Sequence, residues 1–253
     1  QKLLSFTDNR QDAALQAGHF NDFMDVVRLR SAIRKAVETA DSKQIHLTTL
    51  GRAVRVASGL QFDDFATGGS DLPEFRKRIY EETLEAYFAF RAIHDLRRGW
   101  RVVLPNLEQC ALLEIDYDHL DEIAALDEMW ATIPLLDRLA AGDRRELIRV
   151  TLDFFRHEFA LHSESYLTEA RIKEHATAFR ERLRAPWRYE DDDDIPSPAF
   201  VRTESLTRYS RRETRSIGPQ SGFGRFVRRF AHDRLNLTLK AMEYQEFIEK
   251  LLA

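Results

Sequence analysis

Apolar residues return at helical spacing along most of this 253-residue chain. Between residues 12 and 40, Leu15, Phe20, Phe23, Val26, Val27, Leu29, Ile33 and Val37 form such a series. From Phe23 onward the steps of three and four predict a helix with one apolar face, with a candidate break near Gly18. Thr48 or Thr49 is placed to cap a second helix that runs to about Ser58 and ends at Gly59. A Thr67-Gly68-Gly69-Ser70 turn follows, and Asp71 with Pro73 opens a long helix to about Arg98. Residues 100–104 read as a short strand, Pro105-Asn106 as a helix restart, and residues 113–117 as a second strand. That order suggests a small winged-helix-like element. Residues 120–184 return to a helical pattern, with breaks at Pro134 and Gly142; the apolar stretch 147–161 is expected at the centre of the core. Thr168 opens another helix, Ser221 caps one through Phe230, and residues 235–252 predict a last amphipathic helix. The expected fold class is mainly α.

One strand stands apart at the start. Leu3, Leu4 and Phe6 supply an apolar run, Thr7, Asp8 and Asn9 a polar turn, and Ala13, Ala14, Leu15 and Ala17 a helical pattern. A strand feeding a helix through such a turn is the unit of parallel α/β sheets, whose ligands sit at the carboxyl ends of strands. Here that end carries Thr7, Asn9, Arg10 and Gln11, all able to reach phosphate. The competing reading is plain capping by Asp8, Asn9 and Asp12, with Arg10 paired to Asp12 or a neighbour. The chain begins on this unit without a methionine and stops inside a helical pattern, so it is expected to be a piece of a larger protein.

Leu4-Ser5-Phe6-Thr7-Asp8-Asn9-Arg10-Gln11-Asp12-Ala13 and Leu15-Gln16-Ala17-Gly18-His19-Phe20-Asn21-Asp22-Phe23 resemble the first strand and helix of the second RecA-like lobe in large bacterial DEAD/DEAH-box helicases of superfamily 2. Within that family the chain is similar to the very long helicases of bacterial defence islands, including the DISARM type. Asp95-Leu96-Arg97-Arg98-Gly99-Trp100-Arg101-Val102, Pro105-Asn106-Leu107-Glu108-Gln109-Cys110 and Gly222-Phe223-Gly224-Arg225-Phe226 are similar to that family as well. The resemblance implies a start of the lobe at 1–40 and a helical insertion at 41–188. An acidic linker at 189–200 and a basic segment with C-terminal helices at 201–253 would follow. It implies a part of an ATP-dependent DNA helicase or translocase that is not catalytically complete alone. Thr7, Asn9, Arg10 and Gln11 would contact a nucleic-acid strand. No cofactor is expected in this piece; ATP and Mg would belong to the parent protein. Partners would be DNA, the remaining helicase lobes and a protein of a defence system.

Charge sharpens the picture at one place. The net charge of −4 gives no global nucleic-acid signature, so binding must come from a local patch. Glu190 and Asp191 to Asp194 form an acidic run closed by Pro196 and Pro198, which reads as a solvated linker. Downstream come Arg202, Arg208, Arg211, Arg212, Arg215, Arg225, Arg228 and Arg229, opposed by Glu204 and Glu213. Arg211, Arg212, Arg215, Arg225, Arg228 and Arg229 are the candidate phosphate track, with Tyr209, Phe223 and Phe226 to stack or pack. The bland alternative is a solvated arginine face, or one paired with the acidic run.

Other chemistry is weaker. A single Cys110 cannot form an internal disulfide or a cysteine-rich zinc site, which suits a cytoplasmic protein. No apolar run approaches the ~18 residues of a membrane span. His157 and His162 are five apart, which turns them to different helix faces and not onto one metal. Gly51-Arg52-Ala53-Val54-Arg55 echoes an arginine finger but sits in an amphipathic helix, and the loop Gly218 to Gly224 lacks the Lys-Ser/Thr ending of a phosphate loop. The loop's helix N-terminus still suits an anion, DNA phosphate first. The competing function is a standalone helical adaptor that docks an acidic protein partner and has no ATPase activity.

Overall fold

The structure, a computed structural model, describes residues 10–96, 105–189, 195, 197–203 and 214–252, with side chains from residue 23 onward. The described chain is mainly helical. Its elements are α1 (Arg10–Thr39), α2 (Leu47–Ser58), α3 (Phe62–Phe65), α4 (Glu74–Asp95), α5 (Leu120–Ala125), α6 (Asp127–Trp130) and α7 (Pro134–Arg138). Then come α8 (Ala141–His157), α9 (Glu169–Arg182), β1 (Phe200–Arg202), β2 (Thr214–Ser216), α10 (Gly222–Leu235) and α11 (Ala241–Leu252). The N-terminal strand of the sequence reading, Thr7 and Asn9 lie outside the described residues, as does the strand expected at 100–104. No described helix is long and apolar enough to cross a membrane. The chain divides into two compact units.

In the first unit, α2 packs against both α1 and α4, and α9 packs against α4. The apolar faces read as the spacing requires: Val26, Leu29, Ile33 and Ala36 of α1 and Leu50, Val54 and Ala57 of α2 are buried. Gly51 makes the approach to α4 close, because a Cβ there would sit 2.1 Å from the Glu85 carbonyl oxygen. Arg55, the last residue of the arginine-finger echo, donates to Glu85 at 2.8 Å and so braces the same helix pair. Around α4 and α9 the rings of Tyr87, Phe88, Phe179, Trp187 and Tyr189 meet edge to face, with Tyr87–Phe179 and Phe88–Trp187 centroids each 5.4 Å apart. Thr67 and Arg184 carry the backbone bonds that tie the end of α3 to the end of α9.

Several boundaries differ from the sequence reading. His46, not Thr48 or Thr49, caps α2: its ring nitrogen accepts from the Thr48 amide, while Gly59 ends the helix at φ 72° as expected. Pro105-Asn106 does not restart a helix. Asn106 and Gln109 instead exchange side-chain-to-backbone bonds of 2.8 and 2.9 Å, a local closure that competes with helical bonding. Residues 113–117 form no strand. Over its described part, residues 105–117, the winged-helix-like element is therefore corrected to turns and irregular chain. Arg30 pins its start: it forks onto buried Asp95 at 2.9 and 3.0 Å and donates to the Pro105 carbonyl at 2.7 Å.

The second unit has its own apolar core. Trp130, Leu135, Leu136, Leu139 and Leu147 meet Ile217, Phe223, Val227, Phe230, Tyr244, Phe247 and Ile248. The expectation for residues 147–161 is met in part: Leu147 of α8 belongs to this buried core, together with residues of α10 and α11, while Ile148, Phe154 and Phe155 pack partly buried against it. Gly142 lies in the first turn of α8 and does not break it, and Phe159 at φ 58° follows the end of α8. Pro134 opens α7 at a position where its missing N–H costs nothing. β1 and β2 pair in parallel, with Val201 opposite Arg215. Residue 235 ends α10 rather than starting the last helix. Asn236, at φ 51°, adopts the left-handed cap, and its amide bonds back to the His232 carbonyl at 2.9 Å.

Candidate functional site

Helix α10 sorts its residues cleanly by chemistry. Phe223, Val227, Phe230 and Ala231 are buried on one side. Arg225, Arg228, Arg229 and His232 fall at i, i+3, i+4 and i+7, which places them together on another. With Thr238 and Leu239 they line an open recess of about 250 Å³. The local fold explains the arrangement. Ser221 caps α10 by accepting from the Gly224 amide at 2.9 Å, and Gly224 lies so near the Gly218 carbonyl that a Cβ would meet it at 2.3 Å. At the far end the Asn236 cap turns the chain back along the helix. Arg228 holds that return by donating Nε to the Leu239 carbonyl at 3.0 Å.

The charges around the recess differ from those elsewhere in this unit. Arg234 is matched to Asp143 and Glu146, at 3.3 and 2.8 Å, and Arg215 to Glu158 at 2.7 Å. Arg225 is exposed and has no carboxylate within ion-pair distance among the described residues. Arg229, its side chain 85% exposed, reaches Asp233 only at 3.6 Å. His232 Nδ1 lies 3.4 Å from Asp233. The recess thus presents guanidinium donors that the protein itself leaves largely unspent, a setting for an external anion.

Of the ten residues expected from sequence, Arg225, Arg228 and Arg229 come together here. Arg215 sits on β2, engaged by Glu158. Arg10 and Gln11 begin α1, their side chains not described, and Thr7, Asn9, Arg211 and Arg212 lie outside the described residues. His232 and Thr238 were missed. The spacing of α10 would have found His232; Thr238 reaches the recess only through the left-handed turn at Asn236, which no periodicity reveals. Of the two roles expected for the aromatic partners, stacking or packing, Phe223 and Phe226 take the second. Phe223 is buried with its ring 4.8 Å from Phe154, and Phe226 lies 5.8 Å from Phe230 against the core; Tyr209 lies outside the described residues.

A second polar cluster in this unit reads as structural. The Tyr117 hydroxyl donates to Asp153 at 2.8 Å and accepts from Arg156 at 3.3 Å; Arg156 also holds Asp153 at 2.9 Å. Burial, more than these partners, pushes the Tyr117 phenol up to about 12. It stays neutral through the physiological range and offers no proton transfer there. Burial likewise raises Tyr244, whose hydroxyl donates to the Ile217 carbonyl at 2.6 Å. Comparisons with models of known families, with curated proteins and with solved structures give no match.

Proposed function

We propose that this chain is a nucleic-acid-binding, mainly helical part of an ATP-dependent DNA helicase or translocase, and that α10 holds the sugar-phosphate backbone. The observation that supports binding is the one-faced set Arg225, Arg228, Arg229 and His232 around an open recess. Guanidinium groups fork onto phosphate oxygens, and each contact releases condensed counterions. The motor assignment is carried by the resemblance, chiefly of residues 4–23, with the shorter likenesses at 95–102, 105–110 and 222–226 beside it. In that reading the parent's lobes bind ATP and Mg and close cyclically on ATP, stepping the strand past sites on each lobe, while α10 keeps a grip on it. No residue here is assigned to ATP, to the metal or to phosphoryl transfer. Thr7, Asn9, Arg10, Gln11, Arg211 and Arg212 stay proposed strand contacts, the setting is the cytoplasm, and a defence-system protein is the further partner.

The test is titration of single-stranded DNA over a range of salt. Two to three phosphate contacts predict a slope of log K against log salt of about −1.4 to −2, at roughly −0.7 per contact. The double variant Arg225→Ala/Arg229→Ala removes two contacts without touching the Arg228 bond to Leu239, so the slope should move toward zero by about 1.4. Unchanged affinity and slope would remove α10 from the reading. Tighter binding of polyglutamate than of DNA would favour the competing occupant, an acidic protein.

A further inference from the structure

The lining of the recess restricts which feature of a nucleic acid α10 can hold, and the inference rests on the phosphate-binding reading above. We infer that α10 binds the phosphate backbone by charge and length alone, on duplex and single strand alike, without stacking on bases. Sequence-tolerant binding of unpaired strands relies on exposed aromatic faces. Here the phenyl rings on α10 are turned to other work: Phe223 and Phe230 are buried, and Phe226 packs partly buried against the core, which leaves the small imidazole of His232 as the one ring in the described lining. The described lining contains no Phe, Tyr or Trp, and no Asn or Gln to read an adenine edge. What remains is a row of donors. Arg225, Arg228 and Arg229 offer guanidinium donors and Thr238 a hydroxyl, all suited to phosphate oxygens, with the His232 ring beside them.

The row also has a length. From residue 225 to 232 the helix climbs on the order of 10 Å at roughly 1.5 Å per residue. One strand of a duplex advances about 3.4 Å along its axis per phosphate and winds around that axis as well, so neighbouring phosphates lie farther apart than the rise and the row spans about two to three of them. His232 stands at the end of that row, its Nδ1 3.4 Å from Asp233. A single-contact site would not be spaced this way.

Competition binding with the full chain tests the inference, with four probes of matched length: oligo-dT, a mixed-sequence single strand, the corresponding duplex, and inorganic polyphosphate. The two single strands should bind within about threefold of each other, the duplex at least as tightly, and polyphosphate should displace all three DNAs. Arg225→Ala/Arg229→Ala should weaken every probe by a similar factor, and His232→Ala should weaken each by less. A tenfold preference for single strands or for guanine-containing sequence, or failure of polyphosphate to displace DNA, would overturn the inference while leaving DNA binding standing. Absence of binding to every probe would overturn the proposed function along with it.

Discussion

At Arg144 a permanently charged side chain is withdrawn from water, only 2% of it exposed, and yet fully employed. Its guanidinium donates to the carbonyls of Leu136, Ala124 and Leu139 at 2.9, 2.7 and 3.0 Å and to Asp127 at 2.9 Å. Those carbonyls belong to the last turns of α5 and α7 and to the residue that ends α7, where helices leave acceptors unpaired and carry partial negative charge. Arg144→Met should therefore cost on the order of 3–5 kcal/mol in denaturant unfolding, because it strands several buried acceptors at once. Arg144→Lys should recover little of that loss, since one ammonium cannot reach three carbonyls from a single point. Tyr117 gives a prediction in pH. Its phenol titrates near 12 when folded and about 10 when unfolded, so the folded state holds the proton more tightly. The stabilisation is complete below pH about 10 and is lost as pH rises toward about 12. Melting curves across that window should fall less steeply for Tyr117→Phe, while Tyr244 keeps some of the slope.

Among the elements, the pairing of α2 with α4 depends on Gly51. Alanine would add helix propensity worth up to ~1 kcal/mol, but its methyl would collide with the backbone at Glu85, and overpacking of this kind costs about 1–3 kcal/mol. The collision wins, so Gly51→Ala should lower the unfolding midpoint rather than raise it. The same element shows what could be read from sequence and what could not. Leu50, Val54 and Ala57 form the buried face of α2, whose end at Gly59 was legible; α1 and α4 were legible by spacing, and α10 by its Ser221 cap, though read only to Phe230. His46 as the cap of α2 was not, since histidine is rarely chosen for that role while two threonines stood next to it. The helical stretch from residue 120 and its boundary at Pro134 were legible, but not its division into α5, α6 and α7, each too short to show a period and held by the remote Arg144. β1 and β2, three residues each, are likewise shorter than an alternation needs to declare itself.

For the whole molecule, the two units carry separate apolar cores, and damage should stay local. Amide hydrogen exchange of Gly51→Ala should show lost protection in α1, α2 and α4, with α10 and α11 near wild type; loss spread evenly over both units would contradict that. The candidate site was half legible. Its arginines stood out because a chain of net charge −4 concentrates them after the acidic run, whereas which of them meet depends on carboxylates distant in sequence, such as Glu158 for Arg215. Function classes followed less well, because the longest likeness, at residues 4–23, lies far along the chain from the recess near residue 230, which only the short stretch 222–226 adjoins.

Arg228 lets a single side chain serve two masters. Its Nε is committed to the Leu239 carbonyl, and neither Nη has a hydrogen bond among the described residues, so one edge of the fork fastens the fold while the other remains available to a visitor. A lysine in its place would have one nitrogen for both duties and would have to abandon either the hinge or the guest. At this position the customary exchange of one cation for another is a change of architecture.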